Sequence, residues 1–330
     1  TQAKTLFPYT TLFRSMEIME RGGGIANTMK ATREASEEEL ITHSLDFLEK
    51  MLAFGITTVE GKSGYGMDYD TELKQLRVMR ELEKRQPVSI VRTFLGAHSV
   101  PTNYKGRNDE FIDFLLQEVM PTVKAEKLAE FCDVFCEKGV FSIEESRRLL
   151  TKAREMGFKL KIHADEIVTF GGSELAGELK CTSADHLLHA SDAGIKALAD
   201  NDVVATLLPT TAFCLKEPYA PARKMIDAGC AVALATDFNP GSGFTNSVPL
   251  MIALAVIYMG MTAEEAITAL TLNGAAAVGR ADSIGSIEVG KEADLVLLQY
   301  PSYKFLPYHT GVNIVDSVVK GGKLVYTRKV

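Results

Sequence analysis

The segment KIHADE, residues 161–166, follows a short apolar run and places an imidazole and two carboxyl groups within four positions. A neutral imidazole can bind a divalent metal ion, and a nearby carboxyl group can carry protons. Asp237 ends another apolar run, where a buried carboxylate is costly unless it is paired or bound to metal. His163 and Asp237 therefore predict part of a mononuclear metal site, with Glu166 as a proton carrier beside it.

The elements that must position these groups alternate along the chain. Seven extended segments between residues 56 and 238 are separated by segments of helix length, which predicts parallel strands with helices outside. Seven such units are one short of a closed barrel. A doubly wound open sheet is the competing architecture, but no GxGxxG or P-loop motif supports its nucleotide site. We predict an α/β fold, a (β/α)8 TIM-type barrel lacking its first strand, with the remnant of a small β-sandwich domain.

Polar residues gather where the predicted strands end, and in (β/α)8 enzymes that end of the barrel carries the active site. They are the stretch from Glu60 to Tyr65, His98, Glu137, His163 with Glu166, His186 with His189, and Asp237 with Asn239. A lone histidine such as His98 is more often structural than catalytic. We interpret His189 as structural because side chains alternate along a strand, and we interpret His43 and His309 as structural or exposed.

The pattern divides the chain into three parts. We expect residues 1–15 to be a non-native leader derived from a cloning adaptor, because they lack the features of a signal peptide and their composition does not continue into the residues after them. We predict the barrel over residues 16–282. Short alternating strands joined by glycine turns predict the C-terminal part of a small β domain over residues 283–330. We expect a loop at the glycine-rich stretch near residue 22.

Composition favours a small-molecule partner. The formal net charge is -7 and no basic run stands out, which argues against nucleic-acid binding. No run approaches the roughly 20 apolar residues that a membrane helix needs. The 5 cysteines form no CxxC pair, so neither a disulfide framework nor a thiolate zinc site is predicted. We expect a cytoplasmic protein.

Several motifs resemble a known family. KIHADE, DHLLHA and ATDFNPGS resemble strands five, six and eight of the amidohydrolase superfamily. TTVEGKSGYG and RTFLGAHSVP, together with ATDFNPGS, resemble the imidazolonepropionase family within it. The resemblance extends from about Met16 to the end of the chain, with the motifs in the same order.

The resemblance implies hydrolytic opening of 4-imidazolone-5-propanoate to N-formimidoyl-L-glutamate, a step of histidine degradation. It implies one Zn²⁺ or Fe²⁺ per subunit, held by His163, Asp237 and two histidines of an HxH motif on strand one. No two of the 6 histidines have that spacing, and the arginine that binds substrate just after HxH is absent too. Arg92 and Arg223 are not obvious substitutes. We therefore expect an N-terminally truncated member, impaired as it stands and a homodimer when intact.

The resemblance also implies roles for individual residues. Asp237 would hold and deprotonate the attacking water, and Glu166 or His186 would carry the proton to the leaving ring nitrogen. His186 would also stabilise the oxyanion. Substrate contacts are implied for Tyr65, His98, Glu166, Asn239, Gly241 and Ser242, with the tyrosine and the histidine donating hydrogen bonds.

Two alternatives stay open. Another cyclic amidohydrolase or a nucleobase deaminase would share the metal-binding pattern, although KSGYG and DFNPGS favour opening of a lactam. A non-catalytic remnant that retains only small-molecule binding is the second alternative.

Overall fold

The computed structural model describes residues 25–329. Within them, seven strands form one parallel sheet in which each strand pairs with the next along the chain. The strands are β1 Thr58–Lys62, β2 Ser89–Ala97, β3 Phe131–Cys136, β4 Lys159–Ala164, β5 Ser183–His186, β6 Val204–Leu207 and β7 Val232–Leu234. The predicted α/β fold, with a parallel barrel-type sheet, is confirmed.

Helices precede β1, separate each pair of consecutive strands of the sheet and follow β7. They are α1 Ile25–Glu34, α2 Glu37–Ala53, α3 Tyr69–Arg85, α4 Asn108–Phe114, α5 Met120–Ala125, α6 Ile143–Glu155, α7 Gly172–Glu178, α8 Asp192–Asp200, α9 Pro209–Leu215, α10 Ala222–Asp227, α11 Val248–Tyr258, α12 Ala263–Leu270 and α13 Leu272–Ala277. A π-helical segment, Leu115–Val119, joins α4 to α5. The prediction of a loop in the glycine-rich stretch near residue 22 is wrong for residues 25–29, because α1 begins at Ile25.

Local sequence sets the start and end of α2. The Ser36 hydroxyl accepts a hydrogen bond from the Glu39 backbone N–H, and the Glu39 carboxylate accepts one from the Ser36 backbone N–H. This reciprocal pair satisfies two amides that the first helical turn leaves without partners. Gly55 comes just after the helix at a φ of 86°, a left-handed conformation that glycine adopts without strain.

A small antiparallel sheet comes after the barrel, in the order β10-β9-β8. Its strands are β8 Leu295–Leu298, β9 Val315–Lys320 and β10 Lys323–Thr327, with the short helix α14 Phe305–Tyr308 between the first two. The alternating stretch before β8 does not form the strand that its pattern indicates. Ile287 and Val289 are exposed there, and none of the described strands pairs with them. The predicted domain boundaries stay predictions, and residues 1–15 lie outside the described residues.

The core lies inside the sheet and between it and the helices. β3 is buried along its whole length, and β4 is buried after Lys159. Charged side chains nevertheless occupy this interior at Lys62, Asp133 and Asp185, on alternate strands β1, β3 and β5. In barrels, inward-pointing residues of alternate strands lie in one layer. None of the described helices is long and apolar enough to cross a membrane.

Candidate active site

All nine residues predicted to serve the site line one cavity of about 950 Å³, which also reaches between β1, β7 and α2. They are Tyr65, His98, His163, Glu166, His186, Asp237, Asn239, Gly241 and Ser242. Two further residues from the strand ends do not line it. Glu137 is buried and accepts hydrogen bonds from the backbone amides of Lys138 and Ile167, and the His189 backbone bonds to Asp165 and Thr169.

The backbone turns sharply where three site strands end. Asp165, His186 and Asp237 have φ values of 49°, 76° and 48°, in the left-handed region that residues with a side chain rarely adopt. Such conformations persist only where surrounding contacts hold them. After β4, the Asp165 carboxylate supplies these contacts by accepting hydrogen bonds from the amides of Phe170, Gly171 and Ser173. The turn then presents Glu166 to the cavity.

Four rings form a row across the cavity. The ring centroids are 5.2 Å apart between Tyr65 and His98, 6.0 Å between His98 and His163, and 5.1 Å between His163 and His186. The rings come from the ends of β1, β2, β4 and β5 and the loops after them. The row therefore brings four of the predicted site residues, from four different strand ends, to one surface.

His98 is held as a neutral ring with one defined tautomer. Its Nδ1 lies 3.1 Å from the Gly64 carbonyl oxygen, and because a carbonyl only accepts, Nδ1 carries the proton. Burial, together with the neighbouring His163, lowers the pKa of His98 to about 3. The remaining atom Nε2 is then an acceptor. The role of His98 as a donor to substrate stays a prediction, and in this tautomer Nε2 would accept a hydrogen bond instead.

The loop that carries Tyr65 is fixed by a buried carboxylate. Glu72, in the first turns of α3, accepts hydrogen bonds from the backbone amides of Gly64, Gly66 and Met67. Gly64 has a φ of 108°, and a Cβ there would lie 2.7 Å from a backbone oxygen. Burial, then the charges of Asp237 and Glu166, raise the pKa of Tyr65. Its hydroxyl therefore remains a donor at neutral pH.

His163 is oriented from the core side by Asp133, a residue that the sequence analysis did not identify. Its Nδ1 lies 3.1 Å from Oδ1 of Asp133, which is fully buried in β3. Burial opposes the charged ring, but the Asp133 carboxylate outweighs it and raises the pKa of His163 to about 8. A carboxylate on one ring nitrogen is the usual support of a histidine that binds metal through the other. The signal in the sequence was an aspartate inside the apolar strand FCDVFC.

A lysine lies at the centre of the neighbouring charges. Lys62 Nζ is 2.7 Å from Asp133 Oδ2, 3.0 Å from Asp185 Oδ2 and 3.0 Å from Glu60 Oε1. Burial lowers the pKa of Lys62, but these carboxylates outweigh it and raise the pKa well above its usual value. Conversely, burial opposes ionisation of Asp185, and the two lysines, Lys62 and Lys161, lower its pKa to about 2. The carboxylates of Asp133, Asp185 and Glu60 are therefore each paired with a lysine ammonium within this network.

Asp133, His163 and Asp185 could also hold a metal ion by spacing alone. One ligand atom from each lies within 4.8 Å of the others, and all three residues are buried. However, the Lys62 ammonium already lies within hydrogen-bond distance of two of these carboxylates. A cation bound among the three would have to displace it. The face of His163 that lines the cavity has no such competitor among the described contacts.

Glu166 and His186 form the polar pair on the cavity side. His186 Nε2 lies 3.5 Å from Glu166 Oε2, and the other ring nitrogen, Nδ1, is buried without a hydrogen-bond partner among the described residues. Burial raises the pKa of Glu166, although the nearby His186 lowers it in part. A carboxyl group with a raised pKa can hold and release a proton closer to neutral pH.

Asp237 starts a turn that is tied together by Asn239. The Thr211 hydroxyl donates a hydrogen bond to Asp237 Oδ2 at 2.7 Å. The Asn239 side-chain oxygen accepts from the backbone amides of Gly241 and Ser242, both at 2.8 Å, and its amide donates to the Asp237 carbonyl. The loop that resembles a substrate-binding segment is thus shaped by its own side chains.

Neither of the two arginines considered from the sequence reaches the cavity. Arg92 bonds to Glu83 and to the Leu128 carbonyl, and Arg223 pairs with Asp227 and Glu265. Among the described residues that line the cavity, Lys62 is the only lysine or arginine. Its ammonium is already shared by three carboxylates, so it is a poor partner for the carboxylate of a substrate.

Similarity to known proteins covers nearly the whole chain. Residues 17–326 match the amidohydrolase family. Imidazolonepropionase from Clostridium tetani (strain Massachusetts / E88) is 66% identical over 313 residues, which make up 95% of this chain and 75% of that protein. Imidazolonepropionase from Parabacteroides distasonis is 66% identical over 309 residues, 94% of this chain and 74% of that protein.

The chain belongs to the imidazolonepropionase family. The resemblance inferred from the sequence motifs is therefore confirmed. The chain spans about three quarters of the length of these two relatives.

Two solved structures of other enzymes share the fold. An adenosine deaminase from Xanthomonas campestris with bound zinc matches with a TM-score of 0.70 at 20% identity, covering 96% of this chain and 76% of that chain. An atrazine chlorohydrolase from Arthrobacter aurescens complexed with zinc matches with a TM-score of 0.75 at 14% identity, covering 98% and 80%. At these identities the likeness establishes the fold and no more.

Proposed function

We propose that this chain hydrolyses 4-imidazolone-5-propanoate to N-formimidoyl-L-glutamate. The observation that carries the proposal is that all nine residues predicted from the family resemblance line a single cavity. The 66% identity to an imidazolonepropionase supports the same substrate.

One Zn²⁺ or Fe²⁺ would be held by His163 and Asp237. The donor set fits, because an imidazole nitrogen and a carboxylate oxygen both suit these ions and both residues line the cavity. The Asp133 support on Nδ1 of His163 leaves Nε2 as its ligand atom. When bound, the metal polarises a carbonyl and lowers the pKa of water. The 6 histidines do not include the HxH pair that the resemblance implies as further ligands.

Ring opening consumes one water molecule. The water oxygen bonds to the ring carbonyl carbon, the carbon–nitrogen bond of the lactam breaks, and the leaving nitrogen takes up a proton. The Asp237 carboxylate accepts the proton that the water loses. Glu166 and His186, whose side chains lie 3.5 Å apart, take this proton over from Asp237, and one of them delivers it to the leaving nitrogen. With its proton on Nε2, His186 also donates a hydrogen bond to the developing oxyanion.

Substrate orientation comes from the rest of the cavity. Tyr65 donates a hydrogen bond, whereas His98 Nε2 accepts one from a ring N–H of the substrate. The turn from Asn239 through Gly241 to Ser242 contacts the substrate from the β7 side. These contacts fix the face of the ring that water attacks.

The test compares substrates on one preparation. The full chain is purified, loaded with Zn²⁺ or Fe²⁺, and incubated separately with 4-imidazolone-5-propanoate, guanine and cytosine, with products identified by mass spectrometry. We expect N-formimidoylglutamate alone, and none from a His163→Ala variant. Deamination of guanine or cytosine would support the nucleobase deaminase alternative instead.

Metal content addresses the non-catalytic alternative. About one equivalent of metal per chain, measured by mass spectrometry after growth with zinc and iron, is the expected result. A folded chain that takes up no metal and opens no ring would contradict the proposal and support the non-catalytic remnant.

A further inference from the structure

Lys62 links three strands of the barrel interior through one ammonium group. It ends β1 and contacts Asp133 of β3 at 2.7 Å and Asp185 of β5 at 3.0 Å. Its side chain is 23% exposed, whereas that of Asp133 is 0% exposed. The ammonium is therefore placed at the boundary between the core and the cavity.

Asp133 uses both of its carboxylate oxygens and has three hydrogen-bond partners. Oδ2 accepts from Lys62, whereas Oδ1 accepts from the Val134 backbone amide at 2.8 Å and bonds to Nδ1 of His163 at 3.1 Å. A carboxylate bonded through both oxygens has one orientation, because rotation about its side-chain bond would break both contacts. The direction in which His163 points is thus tied to the position of the lysine.

A second lysine provides an internal comparison. Lys161 also lies in the interior and also pairs with Glu60, at 3.1 Å. Its other hydrogen-bond partners within the described residues are the Ser183 hydroxyl and the Ala277 carbonyl, and Asp133 is not among them. Lys161 can stabilise the barrel without orienting His163.

We propose that Lys62 is a positioning residue, which holds Asp133 so that His163 keeps its Nδ1 proton on Asp133 and presents Nε2 to the cavity. The proposal depends on the function proposed above in one respect, the metal ion that Nε2 would bind. Its first test needs no metal.

The first test follows the ring proton of His163 by NMR in metal-free protein labelled with ¹⁵N at histidine. The hydrogen-bonded Nδ1–H signal is assigned by its disappearance in His163→Gln. In Lys62→Met, which keeps the aliphatic stem, we expect this signal to be lost or strongly shifted. In Lys161→Met we expect it unchanged. An unchanged His163 signal in folded Lys62→Met would overturn the proposal.

Lys62→Arg covers the case in which Lys62→Met does not fold. The guanidinium keeps the charge but has a different shape. We expect the His163 signal to be retained, because charge pairing with Asp133 is what positions the ring. Loss of the signal in folded Lys62→Arg would count against the electrostatic account.

Zinc affinity, measured by competition with a chelator, is the second test. Loss of such a supporting contact typically weakens metal binding about ten- to hundred-fold. We expect a decrease of that size in Lys62→Met and not in Lys161→Met, and no further effect of Lys62→Met in a His163→Ala background. If the unaltered chain binds no zinc, the proposed function fails, while the NMR result still decides the role of Lys62.

Discussion

His163 has two different neighbourhoods. On the core side, Lys62, Asp133 and Asp185 form a network in which every charged group has a partner. On the cavity side, Glu166 and His186 make one long contact of 3.5 Å, and His186 Nδ1 is buried with no partner among the described residues. Unpaired buried polar atoms reduce stability. The difference indicates that the core side fixes geometry, whereas the polar groups on the cavity side are less completely paired.

The strongest test of this comparison is Asp237→Asn on the cavity side. The change removes a metal ligand and the proton acceptor, so turnover should fall by about a thousand-fold. Thermal unfolding should change little, since this carboxylate accepts only a single side-chain hydrogen bond within the described part of the chain, from Thr211. Turnover and melting temperature are measured together. A large loss of stability with normal turnover would reverse the comparison.

Asp133→Ala tests the core side. Removing one partner of a buried ion pair typically costs about 3 kcal/mol, because the remaining charge is left without compensation. We expect a loss of this size in the free energy of unfolding, measured with denaturant, in addition to reduced turnover. Ser142→Ala, which removes the helix cap of α6 and is not a residue that lines the cavity, is a control for general destabilisation. A variant as stable as the original chain would show that the network does not support the fold.

Glu166→Gln separates proton transfer from binding. We expect turnover to fall by about a hundred-fold with an unchanged melting temperature. Burial raises the pKa of Glu166. As the pH falls, this carboxylate is therefore protonated at a higher pH than an ordinary glutamate, and it can then no longer accept a proton. Turnover of the original chain should therefore decrease toward low pH, and this acidic limb should disappear in Glu166→Gln. Persistence of the same limb would assign it to another group.

Tyr65→Phe should have the smallest effect. It removes one hydrogen-bond donor to substrate, worth about 1 kcal/mol, so KM should rise about five-fold while kcat changes less. The ring contact with His98 is retained. Steady-state kinetics at several substrate concentrations distinguishes KM from kcat. A larger fall in kcat than rise in KM would place Tyr65 in the chemical step.

The sequence identified most of the fold and the polar residues at the strand ends that line the cavity. Seven parallel strands were predicted between residues 56 and 238, and all seven are present. The prediction of a strand around Ile287 and Val289, before β8, was wrong, because an alternating pattern forms a strand only where a partner strand is available. The homodimer and the domain boundaries stay predictions.

What the sequence determined by itself was which groups lie at the strand ends, because parallel strands bring their carboxyl ends to one side of the sheet. Tertiary structure alone decided the pairing of Lys62 with Asp133, 71 residues away, and of Asp133 with His163, 30 residues away. It also decided that Nδ1 of His98 faces the Gly64 carbonyl, 34 residues away. Such contacts depend on the register between strands and on which side chains share an interior layer, and no local pattern of residues specifies either.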